Sequence, residues 1–246
     1  MRLDDFILLA QSRRSVRRFK PDPIPHELLE KVLEAGRWAM SGSNAQPWEF
    51  IVVQDATTRT KLVQSWFEPH EEMYTIEQMR IGELRMPPLR QFATNASFRD
   101  APAVIVVLGD RRTYQASAQG ASFLLTEGAA DATYLKSMAT VTHNLNMAAS
   151  AAGLGAMWIS ITHMWADEIK RILDIPNVLE VHTMIALGYP AYIPNCAGRR
   201  PLAELVHHNK YDPSKLRSST DIQIFIRELR NTTEKPYQQG YMPEKE

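Results

Sequence analysis

The stretch TEGAADATYLKSMATVTHNLNMAASAAGLGAMWIS, residues 126–160, carries the strongest fold signal of the chain. Its alanine-rich part predicts a long helix, and small side chains let such a helix pack closely on a neighbour. Gly153 and Gly155 are expected to end this helix. The apolar run AMWIS that follows predicts a buried strand. The protein is therefore built from helices as well as strands.

Three further apolar segments predict strands, and they are EFIVVQD (49–55), APAVIVVLGD (101–110) and EVHTMIALGYP (180–190). Helices are predicted around them at 4–12, 25–40 and 56–67, and in WADEIKRILDI from near Asp167. These elements do not alternate in regular βαβ order. The pattern favours an α+β fold in which a mixed central sheet is flanked by helices.

We divide the chain into a main domain, residues 1–216, and a C-terminal segment, residues 217–246. Within the main domain, residues from about 68 to 100 lack clean periodicity and include Pro87-Pro88, which indicates an insertion with partial helix. The C-terminal segment contains IQIFIREL, an apolar strand or arm. An arm that embraces a second subunit would bury these side chains, and a tail that folds back on its own subunit is the alternative.

The composition excludes several classes of protein. The 246 residues include 28 Lys and Arg against 28 Asp and Glu, so no net charge draws the chain to nucleic acid or an anionic membrane. The single cysteine, Cys196, allows no internal disulfide and indicates a reducing compartment. No apolar run approaches the ~20 residues that span a bilayer, and the N-terminus is a poor signal peptide. We expect a cytoplasmic protein.

Four stretches are candidates for function, and they are RRSVRRF (13–19), MSGSNAQPWEF (40–50), AAGLGAMWIS (151–160) and GYPAYIPNCAGRRPL (188–202). Each one alone is a common surface run, turn or helix end. Four arginines within six residues of a neutral chain nevertheless need a local explanation. Because the guanidinium fork matches phosphate oxygens, the first stretch predicts a site for a small anion.

Other kinds of site are not indicated. The chain has no Gly-x-Ser-x-Gly, Walker A or Gly-x-Gly-x-x-Gly pattern, and its histidines lack metal-ligand spacing. Cys196 has no evident base in its neighbourhood, so it is not predicted to be a nucleophile. We assign no side chain as a catalytic acid, base or nucleophile, and we predict no metal.

Taken together, the four stretches resemble the nitroreductase superfamily of FMN enzymes, and the resemblance covers residues 12 to about 206. The motifs that carry it are an Arg-Arg-Ser-x-Arg start, a Ser-x-x-Asn-x-Gln-Pro-Trp loop, a Gly-Leu-Gly strand entry and a Gly-Tyr-Pro segment before Arg-Arg-Pro-Leu. It implies FMN as cofactor, NADH or NADPH as electron donor, and a homodimer with two flavins at its interface.

The resemblance also assigns roles to the basic residues. Arg13 and Ser15 would hold the phosphate and ribityl end, and Arg14 would contribute through its backbone and stem. Arg199 would close on the phosphate, with Arg200 as the alternative. Arg17 would reach the pyrimidine edge, where a cation stabilises the reduced anionic flavin.

Two further segments would contact the flavin by the same resemblance. The loop would reach the flavin of the other subunit through Met40, Ser41, Gly42, Ser43 and Asn44. We expect Gly42 to supply freedom for a positive φ. The strand would line the flavin through Trp158, Ile159, Ser160 and Ile161, with a backbone N–H of Ser160 or Ile161 near the flavin N5.

The insertion is expected to determine the substrate specificity. Its place resembles the lid of halotyrosine deiodinases, but His70 stands where those enzymes have glutamate and Asn95 where they have lysine. Tyr74 and Phe92 instead favour an aromatic substrate. We predict ping-pong reduction of nitroaromatics or quinones. Reductive dehalogenation, oxidative flavin fragmentation and a flavin-binding protein with incidental redox activity remain alternatives.

Overall fold

The computed structural model describes residues 2–79, 95–115, 129–194 and 198–228. The chain divides into two compact units, Met1–Ile193 and Pro194–Glu246, and each is described by itself. The elements of the first unit are α1 (Leu3–Ser12), α2 (His26–Arg37), β1 (Trp48–Val53), α3 (Ala56–Gln64), α4 (Phe67–Gln78), β2 (Ala103–Gly109), α5 (Arg112–Gln115), α6 (Ala129–Ala151), β3 (Gly155–Ser160), α7 (His163–Ile172) and β4 (Glu180–Gly188).

The four strands form one sheet in the order β1-β2-β4-β3. Each pair of neighbouring strands runs antiparallel. An isolated bridge between Ser15 and Ala156 adds a short parallel contact at the outer edge of β3. The predicted α+β fold, with a central sheet flanked by helices, is confirmed, but the four strands described are paired antiparallel and do not form the mixed sheet that we expect from the sequence.

Successive side chains of each strand point to opposite faces of the sheet, and each face belongs to a separate hydrophobic cluster. On one face Val106 and Met184 pack with Trp165 of α7. On the other face Ile105 and Ile185 pack with α6 and α2, where Leu145 lies so close to α2 that a Cβ on Gly36 would be 2.6 Å from its Cδ2 atom. The long helix therefore forms the second layer, as its small side chains predict.

Of two helix boundaries predicted from the sequence, the end of the long helix at Gly153 is confirmed and the start of the helix after β3 differs. Helix α6 ends at Ala151, and Gly153 follows in the left-handed region with φ of 72°. Helix α7 begins at His163 rather than near Asp167, because Thr162 caps it by accepting a hydrogen bond from the Trp165 N–H. Strand β3 thus leads into α7 through only two residues, Ile161 and Thr162.

The second unit contains α8 (Leu202–Leu205), a 3-10 turn (Pro213–Lys215) and α9, residues 219–228. The strand alternative for IQIFIREL is wrong, because its described part is helical. Ser218 and Asp221 start α9 by a reciprocal pair of backbone-to-side-chain hydrogen bonds, of 2.8 and 3.1 Å. In the part of the chain that the structure describes, no helix has the length and apolar composition needed to cross a bilayer.

Candidate functional site

The arginine segment, residues 13–19, lies along the outer edge of β3. The Val16 N–H donates to the Ala156 carbonyl at 3.0 Å, and the Lys20 N–H donates to the Tyr189 carbonyl at 2.8 Å. Val16 and Phe19 are buried in the core, at 4% and 6% exposure. Because Val16 and Phe19 are anchored in the core, the polar side chains of residues 13–15 and 17–18 lie at the edge of the sheet.

Two glycines at paired strand ends make this close approach possible. A Cβ on Gly155 would lie 2.7 Å from Val16 side-chain atoms, and one on Gly188 would lie 2.9 Å from the Phe19 ring. Gly155 and Gly188 are opposite each other in the ladder between β3 and β4. Gly155 therefore serves the packing of the arginine segment, whereas we predicted that it ends the preceding helix.

The cations of the segment are only partly exposed. Arg13, Arg14 and Arg17 are half-buried, and Arg18 is exposed. The Arg14 Nη1 donates to the carbonyls of Gln11 and Arg13, and the Arg17 Nη1 donates to the Ser15 carbonyl at 3.4 Å. The Arg14 Nε is buried and has no hydrogen-bond partner among the described residues. A buried donor on a cationic group without an acceptor fits a bound anion.

The outer edge of β3 also offers backbone donors. In an antiparallel ladder, alternate residues direct their N–H and C=O groups to the partner strand and away from it. The Ala156 carbonyl points away from β4, since it accepts from Val16. By alternation the N–H groups of Trp158 and Ser160 point to the same outer edge. Trp158 is 45% exposed, while Ile159 is buried.

The loop that contains residues 40–44 is held by α6 and α5. The Gly42 N–H donates to the Ser137 Oγ at 3.2 Å, the Tyr114 hydroxyl donates to the Gly42 carbonyl at 3.2 Å, and the Thr140 hydroxyl donates to the Met40 carbonyl at 2.5 Å. These contacts join the loop to the helices rather than to β3. Met40, Ser43 and Asn44 are exposed, and Ser41 is half-buried.

The prediction of a positive φ at Gly42 is wrong. Positive φ values occur at Ser43 (53°), Asn44 (51°) and Gln46 (46°) instead. Gly42 is required for space, because a Cβ there would lie 2.5 Å from the Thr133 Cγ2 atom. Sequence reasoning missed Tyr114 and Ser137, which have no local pattern that marks them as loop supports.

A cavity of about 530 Å³ lies between α7, the start of β4 and Arg111. On its wall Arg111 forms ion pairs with Asp131 and Glu180 and lies 4.4 Å over the Tyr134 ring. The His182 imidazole, whose Nδ1 lies 3.7 Å from a Glu180 carboxylate oxygen, lowers the pKa of Glu180, and Arg111 adds to this effect. Burial, reinforced by the Glu180 charge, raises the pKa of Tyr134. Ile161 and Thr162 line this cavity directly after β3.

The predicted insertion, from about residue 68 to 100 and called the lid below, contains most of α4. Tyr74 is half-buried on this helix, and Phe92 lies outside the described residues. His70 is only 8% exposed, and its ring is stacked on Trp66. His70 therefore faces the core rather than a substrate. The described residues of the chain hold no group of three or more His, Cys, Asp or Glu that could bind a metal ion.

Arg199 and Arg200 belong to the second unit and differ in their surroundings. The Arg200 Nε lies 3.3 Å from a carboxylate oxygen of Glu204, which is four residues further along the chain. Arg199 is exposed, and its Nη1 donates to the Gly198 carbonyl at 3.1 Å.

A family model described as "Nitroreductase family" matches residues 10–189, which include the arginine segment, the loop and β3. The chain belongs to the nitroreductase family. The match extends over most of the chain and ends before Arg199. The prediction that the protein is an oxidoreductase of this family is confirmed.

Individual nitroreductase-family relatives have diverse names. A "NADH dehydrogenase" from Thermus thermophilus is 28% identical over 199 residues, covering 80% of this chain and 92% of the relative. A "5,6-dimethylbenzimidazole synthase" from Rhodospirillum rubrum is 26% identical over 196 residues, covering 76% of this chain and 82% of the relative.

Solved structures show the same fold. A BluB-like flavoprotein from Clostridium difficile superposes with a TM-score of 0.69 at 23% identity, covering 85% of this chain and 100% of that one. An iodotyrosine deiodinase bound to FMN and 3-iodo-L-tyrosine superposes with a TM-score of 0.64 at 22% identity, covering 84% and 100%. The fold alone therefore does not distinguish among the activities of the family.

Proposed function

We propose that the chain is an FMN-dependent oxidoreductase that passes electrons from NADH or NADPH to small electron-poor aromatics, such as nitroaromatics or quinones. The observation that carries the proposal is the arginine segment bound along the open edge of β3. This arrangement sets cationic side chains beside outward-pointing backbone donors, which suits a ligand with an anionic end and a polar ring. The names of the relatives, which include an NADH dehydrogenase and an FMN-bound structure, agree with it.

The residues present fit FMN. The phosphate would be held by Arg13 and Ser15, and the orphaned Arg14 Nε supplies a buried donor that suits an anion. Bound FMN supplies two-electron transfer between the nucleotide and the acceptor. Arg17 would supply a positive charge near the part of the ring system that gains negative charge on reduction, and this would favour reduction. The N–H groups on the β3 edge would orient the ring, and the exposed Trp158 would contact it.

We further propose that the site is completed in a homodimer. Met40, Ser43 and Asn44 are exposed, and a hydrogen bond from the Gly42 N–H to Ser137 holds their loop on α6, which suits contact with a neighbouring subunit. In α9, Ile222, Ile224 and Ile226 each expose about 40% of their surface. Burial of these side chains by a second copy would stabilise the assembly.

Removal of residues 217–246 tests the assembly. The truncated protein is expected to sediment as a monomer or a concentration-dependent dimer and to lose bound flavin, because the apolar side chains of α9 no longer bury surface between subunits. Analytical ultracentrifugation with absorbance at the flavin wavelength measures both quantities together. A truncated protein that sediments as a flavin-loaded dimer contradicts the proposed arm.

The lid argues for a neutral aromatic substrate. A zwitterion in a closed pocket needs both charges paired, because an unpaired buried charge is costly. His70 stacks on Trp66 inside the core, and Asn95 carries no charge, so neither supplies an ionic partner. Tyr74 offers an aromatic face that suits a flat, electron-poor ring.

Anaerobic reoxidation tests the proposed activity. The purified yellow protein is reduced with NADH or NADPH, mixed with a nitrobenzene or with iodotyrosine, and followed by the return of oxidised-flavin absorbance. We expect the nitrobenzene to react at least tenfold faster. Fast reoxidation by iodotyrosine with iodide release supports dehalogenation instead, and an absence of reduction by either nucleotide supports a binding protein.

Oxidative flavin fragmentation is the second candidate. It is favoured by the similarity to a 5,6-dimethylbenzimidazole synthase across most of the chain and by the superposition on a BluB-like flavoprotein. Incubation of the protein with reduced FMN and oxygen distinguishes it, since this activity would yield dimethylbenzimidazole as a product that chromatography detects.

A further inference from the structure

His70 is enclosed by aromatic rings where the lid helix α4 meets the body of the protein. Its imidazole is stacked on the Trp66 indole with ring centroids 3.5 Å apart and an interplanar angle of 15°. The Trp165 indole of α7 meets the imidazole edge-on at 5.8 Å. Only 8% of the His70 surface is exposed, so the side chain packs as part of the core.

Hydrogen bonds fix the geometry of this group. The His70 Nδ1 lies 2.7 Å from the Trp66 carbonyl, and because a carbonyl only accepts, Nδ1 carries the proton of the neutral ring. The Trp165 Nε1 donates to the Ser65 Oγ at 2.8 Å, which ties α7 to the turn before α4. His70, Trp66 and Trp165 therefore join the lid helix to the helix that follows β3.

Burial is the main influence on the ionisation of His70. Loss of hydration lowers its pKa below the ordinary value of 6.5, and the hydrogen bond to Trp66 offsets part of this shift. No ionised side chain is among the causes of the shift. The other charged or titratable side chains on the elements packed against His70 are Glu68, Glu71, Glu72 and Glu77 on α4, Arg99 and Asp100 next to Phe98, and His163, Asp167, Glu168, Lys170 and Arg171 on α7. Arg99 and Asp100 form an ion pair with each other.

We propose that His70 makes the docking of α4 on the body of the protein depend on pH, because the neutral imidazole holds the helix and the protonated imidazole releases it. The group belongs to no part of the proposed flavin site. The inference therefore stands or falls without FMN chemistry. If the inference holds, α4, which carries Tyr74, is undocked from the body of the protein more often at low pH.

The sign and size of the effect follow from linkage between protonation and docking. A histidine whose pKa is lowered in the docked state stabilises docking fully above the pKa of the undocked state, near 6.5. This stability is lost as the pH falls below that value. Between pH 7.5 and 5.5 the undocked fraction of α4 can rise by at most about tenfold for one proton.

Hydrogen exchange of backbone amides measures this fraction in the full-length protein as purified. The protection of residues 67–78, corrected for the intrinsic effect of pH on exchange, is expected to fall several-fold, up to the tenfold limit, between pH 7.5 and 5.5. In the His70→Phe variant, which keeps an aromatic ring between the two indoles, protection should be independent of pH. The control variant His26→Asn, which changes a histidine side chain that is 79% exposed, should keep the wild-type pH dependence.

Two results overturn the inference. One is wild-type protection that changes less than twofold over this pH range. The other is an equal pH dependence in the His70→Phe variant. If that variant does not fold, an NMR titration of the His70 Cε1–H in the wild-type protein decides the question, since a pKa at or above 6.5 in the docked state is incompatible with release by protonation.

Discussion

Gly155→Ala is expected to detach the arginine segment from β3 and to weaken FMN binding by tenfold or more. The new methyl group would lie 2.7 Å from the Cβ of Val16, which is anchored to the backbone and cannot rotate away. Overpacking of this kind costs about 1–3 kcal/mol and shifts the backbone. The backbone that shifts carries Arg13 and Ser15. The free energy of FMN binding should therefore be weakened by more than the free energy of unfolding.

Gly153→Ala is the matched control for this variant. Gly153 has a φ of 72°, but a Cβ there meets no atom within 4 Å. Alanine in the left-handed region costs about 1–2 kcal/mol without moving a neighbour. Both variants should therefore unfold at lower urea concentration, and only Gly155→Ala should lose FMN in a fluorescence titration. Equal FMN affinity in the two variants would mean that the contact with Val16 does not position the site.

The contrast between these two glycines illustrates what the sequence can predict. Gly153 and Gly155 follow an alanine-rich helix, and a helix-end signal is equally compatible with both. Only Gly153 has the left-handed conformation. The role of Gly155 depends on a residue that is more than a hundred positions away in the chain, and no local pattern records such a contact. The strands, in contrast, were predictable because each is a run of apolar, mostly β-branched residues. The structure buries these runs in the sheet.

The C-terminal helix shows a competition between two local signals. Ile222, Ile224 and Ile226 alternate with other residues, and a period of two is typical of a strand. The capping pair of Ser218 and Asp221 starts a helix instead, and the isoleucines are all at least 39% exposed. The serine and aspartate spacing was available in the sequence. In the described structure this capping signal prevails over the alternation, since residues 219–228 are helical.

The roles of the basic residues of the candidate site remain a prediction from the sequence. A cluster of arginines in a neutral chain suggests a local anion, and the resemblance identifies that anion as the FMN phosphate. The supports of the loop were not accessible to sequence reasoning, because Tyr114 and Ser137 act through hydrogen bonds to backbone atoms of Gly42. Such contacts arise from the packing of α5 and α6 against the loop.

Arg199→Ala is expected to weaken FMN binding by about 30- to 700-fold, while Arg200→Ala leaves it within about threefold of wild type. A guanidinium that pairs with phosphate contributes about 1.5–3 kcal/mol for each charge-assisted hydrogen bond, and its removal leaves phosphate oxygens underpaired. Arg200 lies 3.3 Å from the Glu204 carboxylate, so its charge is already matched within the second unit. Its removal should lower stability by less than about 1 kcal/mol.

Titration of FMN into flavin-free protein, followed by fluorescence, measures both dissociation constants. Arg199→Lys separates charge from geometry, because lysine keeps the positive charge and loses the two-pronged fork, and its affinity should fall between those of wild type and Arg199→Ala. The reverse outcome, with Arg200→Ala losing FMN and Arg199→Ala retaining it, would place the phosphate contact one residue further along. The ion pair with Glu204 would then have to break when FMN binds, and the salt dependence of binding would show the competition between carboxylate and phosphate for the same guanidinium.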